Sequence, residues 1–173
     1  LKGLLKAAIR DDDPVIVMES EQMYGDKGEV PEEEYTIPIG VADIKRAGTD
    51  VTVVSFGKII KVALQAAEEL AEEGISLEVI DLRTVRPIDY DTVIESVKKT
   101  NRLVCLEEAW PLGSIATEIT YMVQKRAFDY LDAPVIRLTT ADTPAAYAPT
   151  LMEAFLPNKA QLIQAVKQVL YRN

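Results

Sequence analysis

VTVVSFGKIIKVALQAAEELAEEGISLEVIDL, residues 51–82, reads as a strand, a helix and a second strand in direct succession. VTVVSF (51–56) is a β-branched run with a polar lead-in, Gly48-Thr49-Asp50; its length suits one strand. Gly57 then turns the chain. Through 58–74 the residues Ile60, Ala63, Leu64, Ala67, Leu70 and Ala71 recur at helical spacing as one apolar stripe, and Gly74 stands where a C-cap belongs. LEVIDL (77–82) supplies the next strand.

The same alternation continues downstream. A short helix starts at Asp91, RLVCLEE (102–108) is a strand, and Gly113-Ser114 opens a helix through Ile115, Ile119, Met122 and Val123. VIRLT (135–139) is a further strand, and Lys159–Tyr171 closes as an amphipathic helix. Strand and helix in turn predict an α/β fold: three layers, with a mostly parallel sheet covered by helices on both faces.

Upstream the character changes. LKGLLKAAIRDDDP opens with a helix whose apolar face is Leu4, Leu5, Ala8 and Ile9, ending near Asp11–Asp13 because Pro14 disfavours helical geometry before it. No capping residue precedes that helix. VIVM (15–18) reads as a short buried strand. Residues 20–39 carry many carboxylates against Lys27 alone, with Gly25, Gly28, Pro31 and Pro38 as punctuation. The expected organisation is therefore a domain tail over 1–19, a solvated acidic linker over 20–39, and a domain over 40–173. A lone helix and strand cannot bury their own faces, so 1–19 is expected to end a domain that begins upstream.

The 173 residues hold no histidine and carry a net charge of −9. Histidine-based triads and metal sites are thereby excluded within this chain. The charge argues against a nucleic-acid groove or an anionic membrane as partner, and no apolar run approaches the ~18 residues of a membrane span. Cys105, alone and inside an apolar strand, is expected to be a buried hydrophobe; a chain without a disulfide suits the cytoplasm, or a mitochondrial matrix in a eukaryote.

Open parallel sheets bind ligands beyond the carboxyl ends of their strands. SFGKII lacks the further glycines of a dinucleotide fingerprint, and AWPLGS, at a helix start, reads as a plain cap before an anion site. Glu107 and Glu108 are adjacent on a strand, so they face opposite ways and make a poor catalytic pair. Trp110 is expected to pack. Residue chemistry alone stops at an α/β domain with no legible active site.

Several segments go further. KGLLKAAIRDDDP, VMESEQMYG, DLRTVRPID (81–89), KTNRLVCLEEAWP (99–111), FDYLDAPVIRLTTAD (128–142) and PAAYA (144–148) resemble, in order, the beta subunits of the thiamine diphosphate-dependent 2-oxo-acid dehydrogenases. ESEQMYG is similar to their pyruvate branch. TTAD and PAAYA depart from the family's more glycine- and proline-rich versions, in loops. The resemblance implies a transketolase C-terminal-domain-like fold, with the pyrimidine-binding domain upstream. Partners implied are an alpha subunit, a second beta subunit, and the peripheral subunit-binding domain of a dihydrolipoyl acyltransferase. Thiamine diphosphate, the family's cofactor, is held between alpha and beta; the beta-subunit glutamate and histidine that serve it lie in the upstream domain. No catalytic or cofactor-binding residue is carried over to this chain. Two family features have matching positions: a potassium corner at Ala8, Asp11 and Asp13, and a docking contact at Asp132, with the terminal Asn173 in its neighbourhood. Two alternatives stay open here, a transketolase-like or branched-chain relative and a non-catalytic interaction module.

Overall fold

A computed structural model describes residues 1–172. Five strands form one sheet in the order β1-β3-β2-β4-β5: β1 Asp43–Arg46, β2 Val51–Ser55, β3 Leu77–Asp81, β4 Leu103–Leu106 and β5 Ile136–Leu138. Strands β3, β2, β4 and β5 run parallel, while β1 pairs antiparallel with β3 at the edge. The helices are α1 Lys2–Ile9, α2 Ile60–Glu72, α3 Tyr90–Thr100, α4 Ile115–Ala127, α5 Pro149–Phe155 and α6 Lys159–Val169.

Every residue of β2 is buried because helices cover both faces. On one face Val51, Val53, Val104 and Leu106 pack against Ala63, Ala66, Ala67 and Leu70 of α2 and Leu162 and Val166 of α6. On the other, Val54, Ile80, Leu103 and Cys105 meet Val93, Ile94 and Val97 of α3 and Ile119 and Val123 of α4. Each fully buried Val, Leu or Ile contributes about 1.5–3 kcal/mol, so the two apolar layers dominate the stability of this part of the chain. The three-layer α/β expectation holds. The stripe of α2 is rotated slightly from its sequence reading: Ala66 is buried and Ala71 exposed.

Three segments differ from their reading. Residues 15–18 form no strand; Ile16 is 87% and Met18 88% exposed, because no described strand lies alongside to pair with them. Asp43–Arg46, too short and polar to announce itself, is the edge strand β1. Pro149–Phe155 is helical, with Pro149 in the first turn, where its missing N–H costs nothing.

Helix α1 is held by the segment that follows it. Gly3 lies against Tyr35 and Ile37, whose side chains stand 2.7 Å from where a Cβ would be, and the Gly3 carbonyl accepts the Ile37 N–H at 3.1 Å. Lys6 and Arg10 both pair with Glu34. Their hydrogen bonds, that of Lys6 first, hold the Glu34 carboxyl down to about 2. Further on, Gln22 accepts from Lys58 at 2.8 Å and Asp26 pairs with Lys61, so residues 19–26 lie against the start of α2.

Candidate functional site

The end of α4 builds the surface on which Asp132 lies. Thr120 and Gln124 of α4, then Phe128, Leu131, Asp132 and Pro134, line an open groove of about 540 Å³. Its character is apolar with an acidic rim. Phe128 is 65% exposed although it is a large aromatic, and Tyr130 beside it is exposed as well. Asp132 is itself exposed, with its carboxylate 3.2 Å from the Arg102 guanidinium.

The backbone fixes that aspartate firmly. The Asp132 N–H donates to Asn101 O at 2.9 Å, the Asn101 side chain donates to Tyr130 O at 2.9 Å, and the Tyr171 hydroxyl donates to Asp132 O at 3.1 Å. Asn101 adopts a left-handed conformation (φ 60°), which ends α3 and frees its side chain for this role. Arg102 also donates to Val169 O at 3.0 Å, so α6 and the loop before β5 share one anchor. The C-terminal Tyr171 thus reaches Asp132; Asn173 lies outside the described residues. Arg102 and Phe128 escaped the sequence reading, although RLVCLEE and FDYLDAP both stand among the resembling segments.

Ala8, Asp11 and Asp13 sit at the exposed end of α1. The Ala8 carbonyl faces the Asp11 N–H at 3.4 Å, and Asp11 Oδ1 accepts the Asp13 N–H at 3.0 Å. Among the described residues no three His, Cys, Asp or Glu side chains gather to hold a metal ion.

At the carboxyl end of the sheet, Glu107 is buried on the α4 side and accepts the Ala116 N–H at 3.2 Å. Glu108 turns the other way and pairs with Lys58 at 3.1 Å. The two carboxylates serve different walls, as strand alternation requires. Cys105 is fully buried, and burial pushes its thiol up to about 12, which leaves no thiolate at neutral pH. Trp110 is half exposed rather than packed away; its indole N–H donates to Thr143 O at 2.7 Å and ties two loops together.

Comparison with known proteins matches almost the whole chain. The chain is 53% identical over 172 residues to the pyruvate dehydrogenase E1 component subunit beta of Rhizobium meliloti (strain 1021), covering 99% of this chain and 37% of that protein. It is 48% identical over 176 residues to the mitochondrial subunit of the same description from Dictyostelium discoideum, covering 99% of this chain and 49% of that protein. It is 47% identical over 169 residues to the acetoin:2,6-dichlorophenolindophenol oxidoreductase subunit beta of Bacillus subtilis (strain 168), covering 98% and 49%. The chain spans about half the length, or less, of these relatives. Among solved structures, a split-gene transketolase described as an inactive beta4 tetramer aligns with TM-score 0.72 and 26% identity, over 83% of this chain and 46% of that one. With the family model for the transketolase C-terminal domain matching residues 40–162, the chain belongs to that family.

Proposed function

We propose that this chain is the carboxyl-terminal, assembly-bearing part of the beta subunit of a pyruvate dehydrogenase, which decarboxylates pyruvate and passes the acetyl group to lipoyl groups. The observation that carries the reading is identity near one half with beta subunits of that enzyme along almost the whole chain. In this reading residues 1–19 end the pyrimidine-binding domain, 20–39 are the acidic linker, and 40–173 form the transketolase C-terminal-like domain. The parent enzyme works in the cytoplasm or, in a eukaryote, in the mitochondrial matrix; among the described residues no helix is long and apolar enough to cross a membrane.

The chain's own role is contact. Asp132 and Asn173 receive the basic peripheral subunit-binding domain of the acyltransferase, with Phe128 as the apolar anchor. An aspartate at such a rim contributes steering and register, while the exposed aromatic contributes buried area. Other surfaces meet the alpha subunit and a second beta subunit. Thiamine diphosphate is held by residues outside this chain. At Ala8, Asp11 and Asp13 a carbonyl and two carboxylates stand at a helix end, donors of the kind potassium takes, and the rest of that shell comes from elsewhere.

The similarity to the Bacillus subtilis acetoin enzyme supports a second reading, in which the parent acts on acetoin. Both readings share the contact role. Sedimentation velocity, on the chain alone and mixed with an isolated peripheral subunit-binding domain, tests it. Dimers that carry the added domain are expected; monomers at every concentration with no co-sedimentation would sink the proposal.

A further inference from the structure

Among the described residues two buried side-chain atoms have no hydrogen-bond partner, Ser55 Oγ and Glu107 Oε1. They lie at the carboxyl ends of β2 and β4, the two neighbouring strands between which the strand order reverses. From β2 the chain passes to α2 on one face, and from β4 to α4 on the other. Loops that diverge in this way leave a crevice, the place where open α/β sheets take ligands.

The two walls differ in charge. At the α4 wall Glu107 already caps the helix through Ala116 N–H, so an anion is repelled there. The α2 wall is the opposite. Residues Gly57–Ile59 form a tight turn running directly into α2, and neither this turn nor α2 has a side-chain cap. The Ile60 N–H already donates to Gly57 O, so the leading N–H groups without an acceptor in the helix are those of Gly57, Lys58 and Ile59. Strand alternation puts Ser55 with Val51 and Val53 on the α2 face, beneath that start. Gly57 is left-handed (φ +72°) with nothing within 4 Å of a Cβ position, so the backbone is open to close approach. Lys58 supplies a cation; its ammonium is held by Glu108 at 3.1 Å and donates to Gln22 at 2.8 Å.

We infer that the β2–α2 corner, Ser55 to Ile60, is a binding site for a phosphate-type oxyanion, free or as a monoester, with the Glu108 carboxylate occupying the anion's position on Lys58 when the site is empty. The ligand displaces Glu108, takes the Lys58 ammonium and the free N–H groups of the turn, and gives Ser55 its missing partner. Gln22, tied to the same ammonium, then loosens. The inference stands apart from the docking role and survives its failure.

The test is an amide NMR titration of the isotope-labelled chain at pH 7 and fixed ionic strength, with inorganic phosphate and with glycerol phosphate. Saturable shifts at Gly57, Lys58 and Ile59 are expected. Glu108→Gln should bind roughly tenfold more tightly, because a competing charge beside Lys58 is gone. Lys58→Met should abolish the shifts while the spectrum stays dispersed. Tighter binding of glycerol phosphate identifies a monoester site, and equal binding a free-phosphate site. The proposal is overturned by a folded wild type and Glu108→Gln variant without saturable shifts there, or by shifts undiminished in Lys58→Met.

Discussion

Glu78 lies in β3 with 1% of its surface exposed, yet it is a carboxylate. Ser96 Oγ donates to one oxygen at 2.5 Å; Gly48 N–H, at 3.2 Å, and the Lys99 ammonium donate to the other. Thr52 extends the network to Ser96 and Thr100, each at 2.6 Å, so α3 is fastened to β2 and β3 by polar contacts inside an apolar layer. Burial alone would push the Glu78 carboxyl up, but the Lys99 and Ser96 hydrogen bonds and the Gly48 N–H together hold it below its ordinary 4.5. Lys99→Met leaves a buried charge short of its cation and should cost about 2 kcal/mol, read by urea unfolding at pH 7. The pH dependence follows in sign. A carboxyl whose folded value is depressed contributes stability above its unfolded value and loses it as pH falls toward the folded one. Asp89 adds to this: burial raises it, while the Ala42 and Thr92 N–H groups lower it below 3.8. Stability should therefore be level from pH 7 to about 5 and fall below that. A maximum at pH 4 would contradict the assignment. Cys105 was legible in the sequence because an apolar run surrounds it. Glu78 was not, because in a strand covered on both faces alternation gives no sign of which polar residue is buried.

Elements repeat that lesson at greater length. Apart from α5, the helices and parallel strands from 51 onward were legible because their apolar periods are strong and each is bounded by Gly or a polar turn. The edge strand β1 has no such period, since one side faces solvent and Ile44 is exposed. VIVM had the composition of a strand, yet composition does not supply a partner. Gly48 shows what the edge demands: an added Cβ would stand 2.3 Å from the backbone of Leu77 and Glu78. Gly48→Ala should thus destabilise by about 1–3 kcal/mol, checked by the urea midpoint at unchanged slope. The proposed division of the chain has a test at this scale too. Limited proteolysis should cut first within residues 11–36, where backbone is mostly exposed and holds only one short helical turn, and leave the part from Gly40 onward intact. First cuts inside α2 or α3 would refute that division.

At the scale of the whole molecule, the candidate docking face was only half legible. Asp132 came from the resemblance of FDYLDAP to a family segment; the groove behind it exists because α4 ends at Ala127 and exposes Phe128, which no local pattern announces. The central claim is that this chain makes contacts and leaves the chemistry to residues outside it. Titration with thiamine diphosphate and magnesium should accordingly show no micromolar affinity. The most direct test is calorimetric titration of the chain with an isolated peripheral subunit-binding domain, wild type beside Asp132→Ala, at low and moderate salt. Saturable binding, weakened about tenfold by the substitution and reduced by salt, is predicted. A folded wild-type chain that binds nothing, or an Asp132→Ala variant that binds as well as wild type, would contradict it.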